Sequence, residues 1–359
     1  MYGLVLVTGA AGFVGAHVTQ TLLARGYRVR GTVRDPKSAK NAFLHRLEGA
    51  AERLEVVRMD VLDEESVRTA MQNVDAVLHV ASPYVVSVSP SEVQQRLFDP
   101  AVRGTRTVLT AADACGVKRV VVTSSIAAVV GRPYHNAVYD ERDWNLNSSA
   151  ACNPYLASKT LAEQEAWKLA RTASFSLATV LPALVFGPQL GNHDVDPSAR
   201  KPKLNESMRV LASVLSGQQL AVVDLAMHFV DVRDVAEMHV RVLENTAFQG
   251  RVLCAGSALQ GRQFFDALRR AAPQSRHRLP RFDLTRVTPV VKLAAWTRPR
   301  GDRQYLNAHV GVHYTFDTSR ATNEFGMQFR DAETVLSDAA RWLQDHGYLP
   351  DSTCTRSAL

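Results

Sequence analysis

Tyr155 and Lys159 stand four residues apart in the run Asn153-Pro154-Tyr155-Leu156-Ala157-Ser158-Lys159. Residues at i and i+4 share one face of a helix. A tyrosine ordinarily keeps its proton up to a pH of about 10. An ammonium beside it stabilises the phenolate and loosens that proton. The pair suits delivery of a proton to an oxygen that is gaining charge, as when hydride reduces a carbonyl. That step also wants a hydroxyl to hold the oxygen. The apolar run Val120–Val122 ends in Thr123-Ser124-Ser125. Ser125 is the candidate and Ser124 the alternative, because strand alternation turns only one of them inward.

A hydride needs a carrier, and the N-terminus has a place for one. Thr8-Gly9-Ala10-Ala11-Gly12-Phe13-Val14-Gly15 has the spacing G-x-x-G-x-x-G, after an apolar run and before a helical stretch. In that context Gly9 makes a tight turn, Gly12 lets the backbone approach a pyrophosphate, and Gly15 lets helix and strand pack closely. The anion would rest on the helix N-terminus, with Phe13 and Val14 in its first turn. The next strand ends in Val33-Arg34-Asp35. An acid there favours the ribose 2′-OH of NAD, and an arginine accommodates the 2′-phosphate of NADP. Arg34 comes first and Lys40 is near, so the expected cofactor is NADP(H). Arg28 and Lys37 are also close, and Asp35 is the opposing feature. Asp60 and Val61, after the third strand, would face the adenine.

These residues need elements to hold them. Strands are expected at Leu4–Val7, Arg28–Val33, Leu54–Arg58, Ala76–Val80, Arg119–Thr123 and Ser176–Leu181. Helices alternate with them at Phe13–Arg25, Glu64–Met71 with Asp63 as cap, Glu92–Ala114, and Pro154–Thr172 with Asn153 as cap. That alternation predicts an α/β fold, a Rossmann-type doubly wound parallel sheet. Beyond a Gly- and Pro-rich stretch at 189–205 the pattern turns mostly helical, at Met208–Leu215, Val235–Leu243, Phe264–Ala272 and Ala332–His346. This predicts a smaller, mostly helical C-terminal substrate lobe. The division is residues 1–185 as NADP-binding domain, with returns near 226–256, and 186–225 with 257–359 as substrate-binding lobe.

Bulk properties agree with an ordinary globular enzyme. Of 359 residues, 46% are hydrophobic and 21% charged, which excludes large-scale disorder. Lys and Arg exceed Asp and Glu by 42 to 35, a formal net charge of +7. The cations are scattered rather than massed, so nucleic acid is not an expected partner. The four cysteines form no C-x-x-C pair, and no His or acid spacing suggests a metal. No apolar run is long enough to span a bilayer and no signal peptide is evident. A cytoplasmic monomer or homodimer without membrane attachment is expected.

The chain resembles the extended short-chain dehydrogenase/reductase family, in its dihydroflavonol reductase-like branch of fungal and bacterial methylglyoxal, aldehyde and ketone reductases. The resemblance is carried by VTGAAGFVGAHV, GYRVRGTVRDP, LHVASP, PAVRGT, RVVVTSS, YDERDW, YLASKTLAE, LPALVFGP and HFVDVRDVAEMH, in that order along the chain. It implies Ser125, Tyr155 and Lys159 as catalytic triad and Gly9, Gly12 and Gly15 as phosphate loop. It implies Arg34 at the 2′-phosphate, Asp60 and Val61 at the adenine, Ala81 and Ser82 beside the ribose, and Pro182 and Val185 at the nicotinamide carboxamide. Tyr84, Ile126, Val130 and Phe186 match or adjoin substrate-pocket positions. An apolar pocket of that kind suits aryl or alkyl aldehydes and ketones.

The departures narrow the substrate. Ala101-Val102-Arg103-Gly104-Thr105 stands where sugar-nucleotide epimerases and dehydratases usually have Asn-x-x-Gly-Thr. Val130 stands where plant dihydroflavonol reductases carry Asn or Asp, and it cannot hydrogen-bond a flavonoid ring. CNPYLASK replaces the NWYCY-type run of cinnamoyl-CoA reductases, which points away from a CoA thioester. The reading is NADPH-dependent reduction of a small or medium carbonyl substrate. Its alternatives are an epimerase, dehydratase or hydroxysteroid dehydrogenase, and a non-catalytic NADP-sensing regulator. His79, Trp144, Trp167 and the charged run His228–Asp234 are read as structural, with Asp231 and Asp234 as helix caps.

Overall fold

The computed structural model describes residues 3–82, 90–131, 137–151, 153–191, 204–294, 296 and 309–350. The first apolar run forms β1 (Leu4–Val7), where Val5, Leu6 and Val7 are completely buried. On one side of it lie β2 (Arg28–Val33) and β3 (Leu54–Arg58). On the other lie β4 (Ala76–His79), β5 (Arg119–Thr123), β7 (Ser176–Pro182) and β11 (Gly250–Cys254). The seven strands run in the order β11-β7-β5-β4-β1-β2-β3, and every pairing is parallel. A parallel sheet is covered on both faces, which is why its strands read as continuous apolar runs. The chain leaves β1 toward β2, then returns to the far side at β4. A crevice opens at such a reversal, outside the carboxyl ends of the strands.

Helices α1 (Phe13–Ala24) and α7 (Val232–Glu244) cover one face, in a core that includes Val18, Leu22, Val235 and Met238. Helices α3 (Glu64–Ala70), α4 (Gly104–Ala114) and α5 (Pro154–Ala170) cover the other, around Val67, Val108 and Ala166. Asp63 caps α3 by accepting from the Ser66 N–H at 3.2 Å, as its position before the apolar stretch suggested. A one-turn helix, α2 (Ala50–Arg53), precedes β3.

Two elements differ from expectation. Glu92–Ala114 is not one helix. Gln94–Arg103 winds in wide i→i+5 turns, and regular α-helix begins at Gly104. Pro100 lies inside the wide segment; it has no N–H to give and its ring crowds the preceding turn. Asn153 does not cap α5 through its side chain: it sits in the left-handed region at φ 60° and ψ 60°. A residue before proline is pushed out of the right-handed helical region, and Asn tolerates this alternative.

The second lobe is built on a small sheet of β8 (Leu184–Phe186), β10 (Ala226–Asp231) and β12 (Ser257–Gln260). Helices α6 (Glu206–Leu215), α8 (Gly261–Ala271) and α11 (Ala332–Asp345) pack on it around Phe229, Phe264 and Leu336. Between them come β9 (Ala221–Val222) paired with β13 (Phe282–Asp283), and a helix α9 (Thr288–Ala294). Next is β14 (Thr315–Phe316), which pairs with β6 (Val138–Tyr139), and a short α10 (Ser319–Asn323). Among the described residues no helix is long and apolar enough to cross a membrane.

Candidate active site

A cavity of about 1170 Å³ opens at the carboxyl ends of the central strands. The glycine loop forms one wall. Gly9 has a φ of +67°, and a Cβ on Gly15 would lie 2.2 Å from the Gly9 carbonyl oxygen. Only glycine at both positions lets α1 close onto β1. At Gly12 an added Cβ would meet only the Gly9 oxygen, at 3.1 Å, so the backbone is open toward the cavity. The first turn of α1 holds no acid and receives no side-chain cap. Its N–H groups are therefore presented to an anion. Phe13 and Val14 also line the cavity.

Arg34, directly after β2, and Lys40, in the 3-10 turn Ala39–Arg46 that follows, line the same cavity, and both are exposed. Asp35, which argued for NAD, turns a carboxylate oxygen back to the Lys37 N–H at 3.0 Å. Asp60 and Val61 follow β3, with Asp60 accepting from the Leu62 N–H at 3.0 Å. Ala81, Ser82, Pro182 and Val185 complete this part of the lining. Every expected cofactor residue thus borders one space.

The three side chains expected to react border it too. Tyr155 and Lys159 project from the first turns of α5, with the Lys159 Nζ 5.7 Å from the Tyr155 ring centroid. Lys159 donates to the Ser82 hydroxyl at 2.7 Å, and burial lowers its pKa to about 8. The two serines after β5 separate. Ser124 donates to the buried Glu163 carboxylate at 2.6 Å. Ser125 accepts from the Ala127 N–H at 3.1 Å, and its own proton has no partner among the described residues. Of the two, Ser125 is left with a hydroxyl proton to donate. His79 bonds the Thr8 hydroxyl at 2.9 Å, and burial lowers its pKa to about 4, so it is a neutral core group as expected.

The substrate end departs more from expectation. Ile126 and Val130 line the cavity. Phe186 is completely buried against Phe229, with ring centroids 5.4 Å apart, and does not reach it. It ends β8 and packs into the core of the second lobe, while Leu184 and Val185 before it reach the cavity. Tyr84 lies outside the described residues. Sequence reasoning missed Leu184, Met227, His228 and Tyr314, all in the lining. His228, expected to be structural, is among them. Its Nε2 bonds the Tyr314 carbonyl at 2.8 Å, and its ring stacks on that of Tyr314. A carbonyl only accepts, so the proton is on Nε2. Burial lowers the pKa, keeping the ring neutral with Nδ1 as an acceptor. Asp231 does cap α7, accepting from the Arg233 N–H at 2.8 Å, while Asp234 instead receives the Arg330 N–H, also at 2.8 Å.

The model of the NAD-dependent epimerase/dehydratase family matches residues 5–256. The chain belongs to that family. It is 37% identical to cinnamoyl-CoA reductase 1 of Oryza sativa subsp. japonica over 351 residues, 97% of this chain and 92% of the other. It superposes on yeast methylglyoxal/isovaleraldehyde reductase Gre2 complexed with NADPH with a TM-score of 0.77, at 25% identity, covering 96% of this chain and 100% of that one. With vestitone reductase from alfalfa the TM-score is 0.72, at 26% identity, covering 97% and 100%. Within this family the chain is of the extended short-chain dehydrogenase/reductase kind, an NAD(P)-dependent oxidoreductase.

Proposed function

We propose that the protein reduces a small or medium aryl or alkyl aldehyde or ketone to the alcohol, with NADPH as cofactor. The observation that carries this is convergence. Ser125, Tyr155 and Lys159 border the same cavity as the glycine loop and Arg34. The loop fits a pyrophosphate, since its backbone is bare where a Cβ would otherwise stand. Gly9, Gly12 and Gly15 would hold the pyrophosphate and Arg34 with Lys40 the 2′-phosphate. Asp60 and Val61 would hold the adenine, Ala81, Ser82 and Lys159 the ribose, and Pro182 and Val185 the nicotinamide. NADPH, when bound, supplies the hydride.

The chain's own groups manage the oxygen. Ser125 donates a hydrogen bond from its free hydroxyl to the substrate carbonyl oxygen and fixes its place. Tyr155 transfers the one proton that oxygen gains as charge builds there. The Lys159 ammonium stabilises the phenolate left behind. Ile126, Val130, Leu184 and Met227 offer an apolar wall. Tyr314 and the neutral His228 offer ring faces and one acceptor, which suits a substrate with a hydroxyl on its tail.

The identity with a cinnamoyl-CoA reductase over nearly the whole chain makes an acyl-CoA thioester the second substrate class to test. Its reduction to an aldehyde would release a CoA thiol, which a thiol reagent detects. The test is NADPH and NADH oxidation against isovaleraldehyde, methylglyoxal, aryl ketones and cinnamoyl-CoA. Oxidation of NADPH by a free carbonyl, without thiol release and with NADH much slower, is expected. NADPH binding without turnover on any member would support a sensor instead.

A further inference from the structure

Glu163 lies on α5 four residues beyond Lys159 and eight beyond Tyr155, and its side chain is completely buried. Both of its oxygens are in use. Oε1 accepts from Thr179 Oγ at 2.8 Å, Arg251 Nε at 2.8 Å and Trp167 Nε1 at 3.2 Å. Oε2 accepts from Ser124 Oγ at 2.6 Å and from Arg251 Nη2 at 3.3 Å. A carboxylate leaves water at a large cost unless it is paired and hydrogen-bonded, and here it is both.

The Arg251 guanidinium does more than neutralise it. It donates to the carbonyls of Glu141 at 2.8 Å, Asp143 at 2.6 Å and Ala128 at 3.4 Å, and stacks 3.8 Å over the Trp144 ring. Ser125 therefore sits in a short segment held on both sides by one ion pair. Glu163 grips Ser124 before it, and Arg251 reaches Ala128 after it. The same pair is anchored on the helix that carries Tyr155 and Lys159.

We infer that Glu163 and Arg251 are positioning residues, which act through Ser124 to hold the Ser125 hydroxyl in register with Tyr155. The inference rests on the proposed reduction, because it concerns the placement of that reaction's oxygen-binding group. A reacting group displaced by a fraction of an ångström loses rate without losing cofactor affinity. Neither Glu163 nor Arg251 borders the cavity, so neither is itself a catalytic residue.

A double-mutant cycle between Ser124→Ala and Ser125→Ala tests this, with isovaleraldehyde or whichever panel carbonyl turns over faster. NADPH affinity is read by its fluorescence. Ser124→Ala is expected to lower kcat about tenfold with NADPH affinity nearly unchanged. On the Ser125→Ala background it should cost less than about twofold, since the group it positions is already gone. Arg251→Lys, which keeps the charge beside Glu163 but loses the guanidinium's reach, serves as the second variant and is expected to show the same non-additivity. An equal fold loss on both backgrounds would overturn the inference and leave the proposed reaction standing. A wild-type protein that reduces no carbonyl, or a Ser125→Ala variant with full turnover, would overturn both.

Discussion

The Nζ of Lys159 donates a 2.7 Å hydrogen bond to the hydroxyl of Ser82, joining α5 to the end of β4 across 77 residues of sequence. Burial lowers this lysine from its ordinary pKa of 10.5 to about 8. The ammonium that would loosen the Tyr155 proton thus disappears as pH rises through about 8. The reduction rate is expected to fall above that pH, with an inflection set by Lys159. Ser82→Ala, which removes an acceptor for the ammonium, is expected to move the inflection to lower pH. A rate profile flat from pH 7 to about 9.5 would contradict this. The stability effect has the opposite direction. Between about 8 and 10.5 the unfolded chain binds the lysine proton and the folded chain does not, so this group's contribution to stability grows as pH rises through that window.

Arg34 stands exposed at the end of β2, where the 2′-phosphate would lie. A charge-assisted hydrogen bond is worth about 1.5–3 kcal/mol, or roughly ten- to a hundredfold in affinity. Arg34→Ala is expected to raise the KM for NADPH by that factor and leave NADH nearly unaffected. An equal loss for both cofactors would place the arginine elsewhere in the binding event.

Gly15→Ala brings a Cβ to 2.2 Å from the Gly9 carbonyl oxygen, a backbone atom that cannot swing aside. The overpacking is expected to cost about 1–3 kcal/mol and to open the phosphate loop. Thermal denaturation with and without NADPH checks this: Tm should fall, and most of the stabilisation by NADPH should be lost. Gly26→Ala is the control, because among the described residues no atom beyond its local backbone lies within 4 Å of its added Cβ, although its φ of +81° carries a cost of its own. It should lower Tm without touching the NADPH response.

Phe186 and Val130 divide the expected substrate pocket between core and cavity. Phe186→Ala empties a buried site against Phe229 and is expected to cost about 3–5 kcal/mol in denaturant unfolding, with the substrate order unchanged. Val130 borders the cavity, so Val130→Ala is expected to change the ranking of bulky against small carbonyls. A reversal of these two outcomes would return Phe186 to the pocket.

The parallel sheet was legible because strands buried on both faces read as unbroken apolar runs, as at Leu4–Val7 and Val120–Val122. The convergence of the proposed cofactor residues on one cavity was legible for a related reason. Its residues cluster at strand ends in sequence order, so Gly9, Arg34, Asp60, Ser82, Ser125 and Pro182 each mark one carboxyl end or the loop after it. The substrate side was not. His228 and Tyr314 reach the cavity from the second lobe, 86 residues apart, and nothing local joins them before the chain folds. Phe186 and Val185 are neighbours of similar apolarity, and only the packing of the second lobe separates the one in its core from the one at the cavity. Pro100 was a visible warning against a continuous helix from Glu92, and the wide turns around it are its consequence.

The central claim is that Tyr155 delivers the proton on a carbonyl oxygen held by Ser125. Its most direct test is the turnover of Tyr155→Phe, which removes one hydroxyl and leaves the ring. NADPH affinity, read by fluorescence, should stay within about threefold of wild type, while kcat for the best carbonyl falls by about a hundredfold or more. Full turnover by Tyr155→Phe, with NADPH bound as before, would contradict the account.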